Sequence, residues 1–415
     1  MSPWHFIPTL ATALFFSLGM GAAPDTTVHR YLYAASPGCR DYLQYGGHGV
    51  VVFDIDQDHK FVKRIPMKGF AATGLPENVK GIAASAMTKR LYVSTLSYLM
   101  AIDLSTDSLL WTKSYNLGCD RMALSPDGKT IYQPSLEQDV WYVLDAATGN
   151  ERSRISNPGA RAHNTIYGPD GKSVYLAGLG SPLLSIAATA NATVTGTVGP
   201  FSDVIRPFTI NGMQSLVYVN VNKLLGFEIG DLQTGKKLHS IKVVGYDTGA
   251  VDRHGCPSHG VALTLDESEV WLIDGHNHYV HVFDNMVMPP KQKVSIKTRD
   301  FPGWIMFSLD GTLGYPSSGD VIDVKSKQVV GGLFDENGTM FESEKMLEID
   351  FQGGQPIRAG SQFGIGGVSG TVSLAPKSEH RPTQMKKSLI RWNARGERVE
   401  SEKVKRGRIF VHPYP

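Results

Sequence analysis

Side chains able to move protons or pair with anions recur at a fixed distance before six aromatic residues. The aromatics are Tyr92, Tyr132, Tyr175, Tyr218, Trp271 and Tyr315. Twelve residues before them stand Lys80, Asp120, His163, Arg206, His259 and Gly303. Eleven residues before them stand Gly81, Arg121, Asn164, Pro207, Gly260 and Trp304. Five of the six residues in the first series are ionisable, whereas a strand that only packed would be apolar there.

The chemistry predicted from these residue types is acid/base catalysis on a polar or anionic small molecule. His163 and His259 can transfer a proton near neutral pH, and Asp120 can orient one of them. An arginine can pair with a carboxylate or a developing oxyanion. The residues predicted to bind the substrate are Arg206, Arg121, Lys80, Asn164, Trp304, His254 and Arg253. The alternative is a structural ring whose polar groups bind water and connect loops, with Trp304 packed between sheets.

The elements that would position these residues are repeated antiparallel sheets. The six aromatics are 40, 43, 43, 53 and 44 residues apart, and a partial copy surrounds Tyr33. The clearest copy contains the turn Ser125-Pro-Asp-Gly128 between two apolar segments. A period of about 40–45 residues with hairpin turns is typical of propeller blades. The predicted fold is therefore an all-β, seven-bladed β-propeller with four-stranded antiparallel blades, and both series begin the innermost strands.

Blade one has no innermost strand in its own part of the sequence. The segment Lys345–Phe351, followed by Gly353 and Gly354, can supply that strand from the far end of the chain. Closing the ring removes sheet edges that would otherwise be exposed. We therefore expect deletion of residues 340–370 to be severely destabilising.

The longest spacing, between blades five and six, inserts a loop at residues 245–257. It contains Arg253, His254 and Cys256, and it leads into the innermost strand that begins near His259. Binding residues concentrate in long loops on a rigid scaffold. This loop is therefore predicted to contribute to the site.

No recognised cofactor or metal motif occurs in the sequence, so the prediction is that the protein uses no cofactor and no metal. CxxC and HExxH spacings and a glycine-rich phosphate loop are all missing. A divalent metal shared by His163, His259 and Asp120 is the alternative. The histidines between His276 and His281 are interpreted as part of a polar hairpin.

Composition and the chain ends point to an exported protein. A net charge of +2 with 19% charged residues does not favour a nucleic-acid or membrane surface. Residues 1–23 have an apolar stretch and small residues typical of a secretory leader, although no Lys or Arg precedes the stretch and an uncleaved anchor is the alternative. Residues 27–370 form the predicted propeller, and 371–415 a polar, disordered tail. We expect a secreted monomer, with glycosylation acceptors at Asn191 and Asn337. The chain has three cysteines, and the sequence does not decide whether Cys39 and Cys119 form a disulfide.

The chain resembles the YVTN-type β-propeller proteins of the lactonase-like and quinoprotein-amine-dehydrogenase-like superfamily. The resemblance rests on Ser125–Tyr132, Gly168–Tyr175, Val143–Gly149 and Ser308–Gly311, and it covers about residues 30–370. It implies a seven-bladed fold that is often exported. Relatives include sugar lactonases, lyases and binding modules, so the resemblance does not select an activity. Blade six departs from it, with Leu265-Asp-Glu-Ser268 in place of the standard turn.

The predicted function is a secreted enzyme of the lyase, lactonase or cyclase type. Its substrate would be a small anionic, lactone-like or carbonyl-bearing molecule held in the central funnel. The alternative is a propeller that binds a ligand or a protein without catalysis. An electron-transfer role is disfavoured because haem and metal motifs are missing.

Overall fold

The computed structural model describes residues 26–250, 253–367, 391–392 and 398–399. The predicted leader lies outside this part of the chain. The predicted tail is described only at Arg391–Trp392 and Arg398–Val399, which pair as two antiparallel strands. The helices of the described residues are the short 3-10 turns Leu43–Tyr45 and Ile55–Gln57. In the described part of the chain, no helix has the length and apolar character needed to cross a bilayer.

Residues 28–332 supply the strands of seven blades in sequence order. Blade one contains β1 (Val28–Ser36), β2 (Gly49–Asp54) and β3 (Lys60–Ile65). Blade two contains β4 (Val79–Ser85), β5 (Arg90–Thr95), β6 (Tyr98–Asp103) and β7 (Leu109–Ser114). Blade three contains β8 (Ala123–Leu124), β9 (Thr130–Pro134), β10 (Val140–Asp145) and β11 (Glu151–Ser156). Blade four contains β12 (Ala162–Tyr167), β13 (Ser173–Gly178), β14 (Leu184–Ala188) and β15 (Thr193–Val198).

The remaining blades repeat the pattern. Blade five contains β16 (Ile205–Ile210), β17 (Leu216–Val221), β18 (Gly226–Asp231) and β19 (Lys237–Lys242). Blade six contains β20 (Val261–Leu263), β21 (Glu269–Asp274), β22 (Tyr279–Asp284) and β23 (Lys291–Lys297). Blade seven contains β24 (Ile305–Phe307), β25 (Leu313–Pro316), β26 (Asp320–Asp323) and β27 (Gln328–Gly332). Each of blades two to seven is a four-stranded antiparallel sheet, which confirms the predicted fold.

The recurring aromatics lie on the second strand of each blade and fill the spaces between blades. Tyr92 packs with Met122 and Ile131 of blade three, and its hydroxyl donates to the Ala146 carbonyl at 3.0 Å. Trp271 is fully buried. A large ring with a polar tip can bury much apolar area while its polar group keeps a partner. The aromatic residues therefore recur along the sequence because each one packs its blade against the next.

The chain closes the ring with a strand from its far end, as the sequence predicts. β28 (Met346–Gln352) pairs antiparallel with β1, with Tyr33 opposite Leu347. β29 (Gln355–Ala359) then returns along β28 and extends blade one to five strands. Blade one therefore joins two segments of the chain that are some three hundred residues apart, and neither segment can form the complete blade without the other.

After β29 the chain fills the channel below the start of the innermost strands. We call residues 360–367 the plug. Its Gln362 side chain accepts from Ile82 N at 3.2 Å and donates to the Met122 carbonyl at 3.2 Å. The Gly364 carbonyl accepts from Thr209 Oγ1 at 2.6 Å and from Leu263 N at 2.9 Å. The plug thus joins blades two, three, five and six, a feature that sequence patterns do not reveal.

All three cysteines are buried free thiols. The Cys39–Cys119 disulfide that the sequence left open is therefore not formed. Blade packing, the closing strand and the plug hold the fold together instead.

Candidate functional site

The strand register places the predicted series at one level around the channel. Tyr132 pairs with Ala123, three residues after the series member of blade three, and the other blades repeat this offset. In blade one Tyr33 pairs with Leu347, so the same offset gives Glu344. Glu344 is therefore the seventh member of what we call the ring: Lys80, Asp120, His163, Arg206, His259, Gly303 and Glu344. Its neighbour Lys345 completes the second series.

One side of the ring, which we call the open half, consists of Lys80, Asp120 and His163. Asp120 Oδ2 lies 2.7 Å from His163 Nδ1, and Asp120 Oδ1 lies 3.3 Å from Lys80 Nζ. The Arg121 amide donates to Asp120 Oδ1 at 2.9 Å. The His163 side chain is 12% exposed, and its Nε2 makes no hydrogen bond to another described residue. The carboxylate thus fixes the imidazole through Nδ1 and leaves Nε2 without a hydrogen-bond partner among the described residues.

The environment sets the protonation of this pair. Burial lowers the pKa of His163, and this outweighs the attraction of Asp120, which would raise it. Burial alone would raise the pKa of the Asp120 carboxyl, but His163 and Lys80 hold it below its usual value. At neutral pH His163 is therefore a neutral imidazole that donates from Nδ1 to an ionised Asp120, and its Nε2 lone pair can accept a proton.

A surface depression of about 490 Å³ opens beside Lys80 of the open half, between loops of blades one, two and three. It is lined by Arg40, Asp41, Asn78, Lys80, Leu96, Leu136, Glu137 and Gln138. This volume lies within the usual range for small-molecule sites, and Lys80 connects the depression to Asp120.

Arg121 separates the open half from the rest of the ring. Its guanidinium carbon lies 3.7 Å from the centre of the Trp304 ring. It donates to Asn164 Oδ1 at 3.1 Å and to Glu344 Oε2 at 3.3 Å. Arg121 and Trp304 are each 3% exposed. Both residues therefore bind each other and neighbouring blades, and the face of Trp304 predicted to stack on a ligand is covered by Arg121.

On the other side of the ring, His259 and Glu344 meet His254 of the loop at residues 245–257, and we call these three residues the covered half. The two imidazoles are stacked, with ring centroids 4.1 Å apart and an angle of 15° between their planes. His254 Nε2 lies 3.0 Å from Glu344 Oε1. The contact lacks hydrogen-bond geometry, and Glu344 Oε1 has no hydrogen-bond partner among the described residues. His259 Nδ1 lies 3.0 Å from the Gly303 carbonyl.

Burial keeps both histidines of the covered half neutral. It lowers the pKa of His254 to about 4, and it lowers the pKa of His259 well below its usual value. Burial alone would raise the pKa of the Glu344 carboxyl, but its neighbours, Lys345 first, hold it well below the usual range. Burial lowers the pKa of Lys345 to about 8. The covered half thus combines two neutral imidazoles with one carboxylate.

Residues from the predicted loop at 245–257 lie over the covered half of the ring. Arg253 contacts Tyr45, Asp300 and Glu342, with the Tyr45 hydroxyl at 2.8 Å. Arg206 donates to Asn222 Oδ1 at 2.6 Å and to the Gly255 carbonyl at 3.1 Å. Both arginines were predicted to bind substrate, but here they fix the loop to blades one, five and seven.

The structure thus divides the predicted site residues between two groups. The metal set considered from sequence, His163 with His259 and Asp120, is not brought together as one cluster. A different set, His254 with His259 and Glu344, places its possible metal-binding atoms within 4.8 Å of one another. Sequence counting missed Glu344 and Lys345 because blade one takes its innermost strand from the far end of the chain.

No protein-family model and no curated protein matches the chain. Solved structures share its fold. One, "Dihydro-heme d1 dehydrogenase NirN in complex with DHE", has a TM-score of 0.53 and 13% identity, covering 80% of this chain and 73% of that chain. Another, "Crystal Structure of Mitotic Checkpoint Complex", has a TM-score of 0.55 and 11% identity, covering 75% of this chain and 95% of that chain. At these identities the likeness shows the fold alone.

Fold and topology together define a seven-bladed β-propeller whose ring is polar at the start of its innermost strands. Membership of the YVTN-type superfamily remains a prediction from sequence.

Proposed function

We propose that this propeller is an enzyme and that the open half of its ring is the active site. The substrate would be a small anionic, lactone-like or carbonyl-bearing molecule. The observation that most directly supports this is the 2.7 Å contact between Asp120 Oδ2 and His163 Nδ1, which leaves Nε2 without a hydrogen-bond partner among the described residues. A carboxylate that orients an imidazole in this way is the arrangement used by histidine general bases.

His163 Nε2 would take a proton either from water attacking a lactone carbonyl or from a carbon next to a carbonyl group. The proton would then return from Nε2 to the leaving oxygen. Lys80, whose ammonium group lies beside the depression, would stabilise the negative charge that develops on the carbonyl oxygen. General base catalysis of this kind contributes roughly 10²–10⁴-fold to a rate.

The YVTN-type resemblance supports a lactone or sugar-acid substrate, and the leader pattern supports export. Cleavage after Ala23 would give a mature protein beginning at Pro24. Mass spectrometry of the protein recovered from culture medium tests this, and a cell-retained chain that begins at Met1 would count against export.

The test of the enzymatic proposal is a screen of lactones and acidic sugars. Lactone hydrolysis is followed by release of the proton of the acid that forms, and elimination by the ultraviolet absorbance of the new conjugated double bond. His163→Asn keeps a donor for Asp120 but removes the Nε2 base, and it should lower kcat by about 10²–10⁴-fold. His239→Asn, on the outermost strand β19, is the matched control and should leave kcat unchanged. Full turnover in folded His163→Asn would exclude His163 as the base.

A binding module without catalysis is the second candidate. The observation that favours it is that Arg206, Arg253, Arg121 and Asn164 all have internal partners, as in a structural ring. A binder predicts that a gluconate-induced rise in Tm survives His163→Asn with a modest loss of affinity. The enzyme proposal predicts turnover in the wild-type protein that is lost in His163→Asn, whereas a binder shows no turnover in either protein.

A further inference from the structure

We infer that the covered half is a binding site for a divalent first-row transition-metal ion of the zinc type, held by His254, His259 and Glu344. This site lies across Arg121 from the proposed general base, and the inference does not depend on the proposed function. Two imidazoles and one carboxylate are a donor set that binds zinc and leaves a position for water or a ligand.

The two carboxylate oxygens of Glu344 have different surroundings. Glu344 Oε2 accepts from Lys345 Nζ at 2.8 Å and from Arg121 at 3.3 Å. Glu344 Oε1 is buried without a hydrogen bond from any described residue, although His254 Nε2 is only 3.0 Å away. A buried carboxylate oxygen without a donor is costly. The same separation suits two ligands of one ion, since bonds of about 2.0–2.1 Å at tetrahedral or square angles place ligand atoms about 3 Å apart.

His259 has the outer contact that metal-binding histidines usually have. Its Nδ1 lies 3.0 Å from the Gly303 carbonyl, which selects the tautomer with the proton on Nδ1. Nε2 then keeps the lone pair that a metal needs. Coordination of one ion by both rings requires His254 to turn out of the stack, so that the two lone pairs converge. His259 is held by the Gly303 carbonyl, whereas neither ring nitrogen of His254 makes a hydrogen bond to a described residue, so His254 is the ring that is able to turn.

Gly303 leaves the room that this cluster needs. A Cβ at this position would lie 2.2 Å from His254 Nε2 and 2.5 Å from Glu344 Oε1. The ring position that is ionisable in the other six blades is thus left without a side chain where two donor atoms of the cluster meet. Any larger residue would separate the histidine from the carboxylate.

The test measures Zn²⁺ binding to the full chain, purified with a tag that contains no histidine. Metal content after desalting and calorimetric titration against a competing chelator should give one Zn²⁺ per chain. His254→Gln and His259→Asn keep polar groups at similar positions but each removes a ligand nitrogen. Each should weaken Zn²⁺ binding by more than about 100-fold, beyond the range seen when only an outer contact of a metal site is lost. The double variant should bind none.

His163→Asn, a histidine of the same ring outside the cluster, is the matched control and should retain one Zn²⁺. Should the variants fail to fold, the visible spectrum of the Co²⁺-loaded wild-type protein decides the question. Bands typical of four- or five-coordinate Co²⁺ support the site. Substoichiometric Zn²⁺ in the wild-type protein, unchanged binding in the folded double variant, or a purely six-coordinate aqua-type Co²⁺ spectrum would overturn the inference.

Discussion

His163 and His259 occupy equivalent ring positions in blades four and six, yet their surroundings differ. The preceding blade gives His163 a carboxylate partner, Asp120, at 2.7 Å. The following blade gives His259 only a backbone carbonyl, that of Gly303, at 3.0 Å. Both rings keep a lone pair on Nε2, but the Asp120 carboxylate makes His163 a better proton acceptor, whereas His259 has only a neutral partner on Nδ1. The residue at the neighbouring ring position, rather than the strand itself, determines the chemistry.

The two halves also differ in how much the fold depends on them. Asp120 faces Lys80, whose side chain is 17% exposed and can turn toward water. Glu344 faces Arg121 and Lys345, both nearly fully buried. Loss of a buried charge partner is far more costly than loss of an exposed one, because the remaining ion has no solvent.

The largest effect is therefore expected from Glu344→Gln. This change leaves two buried cations without a carboxylate and should lower the free energy of unfolding by about 3–5 kcal/mol. Urea denaturation at pH 7 measures it. Asp120→Asn is the comparison and should cost about 1–2 kcal/mol, since the amide oxygen that it introduces can still accept the Arg121 amide. Equal losses in the two variants would remove the distinction between the halves.

A smaller effect is expected from Gly303→Ala. The added methyl group would overlap His254 Nε2 and Glu344 Oε1, and overpacking of this kind costs about 1–3 kcal/mol. The strain should be confined to the covered half, so the open half should keep any ligand response. Gly196→Ala is the control, because a Cβ there has no neighbour within 4 Å. Thermal melts of both variants in the presence and absence of Zn²⁺ provide the comparison, and a Gly303→Ala protein with unchanged stability and Zn²⁺ response would contradict it.

A further effect concerns pH and arises in the scaffold, at a buried histidine outside the ring. The Nε2 atom of His59 lies 2.9 Å from the Tyr315 hydroxyl. Burial, together with the charge of Arg30, lowers the pKa of His59 to about 4. Since the unfolded chain binds this proton near pH 6.5, the contribution of His59 is present above pH 6.5 and is lost as pH falls toward 4. Between pH 7 and pH 5 the loss should be about 2 kcal/mol.

His59→Gln keeps a polar partner for Tyr315 and cannot titrate. Unfolding free energies measured at pH 7 and pH 5 should differ by about 2 kcal/mol less in this variant than in the wild-type protein. An identical pH dependence in both proteins would place the titrating group elsewhere. The pH response that remains in His59→Gln comes from the other histidines whose pKa burial lowers, among them His163, His254 and His259.

Much of this architecture was predictable from sequence because the repeat is anchored by buried aromatics. Counting back from Tyr132 and Tyr175 gives Asp120 and His163, and the structure places them in contact. The count could not reach Glu344, since its partner strand begins at Val28 and register between distant strands is not fixed by either segment alone.

The covered half and the plug could not be predicted from sequence patterns, for a different reason. His254 was predicted to contribute from its loop, but its neighbours come from blades six, seven and one. The plug residues Gln362 and Gly364 make single contacts to several blades and have no periodicity. Contacts that join many separate segments depend on the finished fold.

The central claim is that the ring contains two chemically separate sites, and the most direct measurement is NMR of imidazole nitrogens in the ¹⁵N-histidine-labelled protein during Zn²⁺ titration. Spectra of His163→Asn, His254→Gln and His259→Asn assign the resonances. The account predicts that Zn²⁺ shifts one nitrogen each of His254 and His259, while His163 keeps the signals of a neutral ring protonated at Nδ1. A Zn²⁺-dependent shift of His163, or none at His254 and His259, would contradict it.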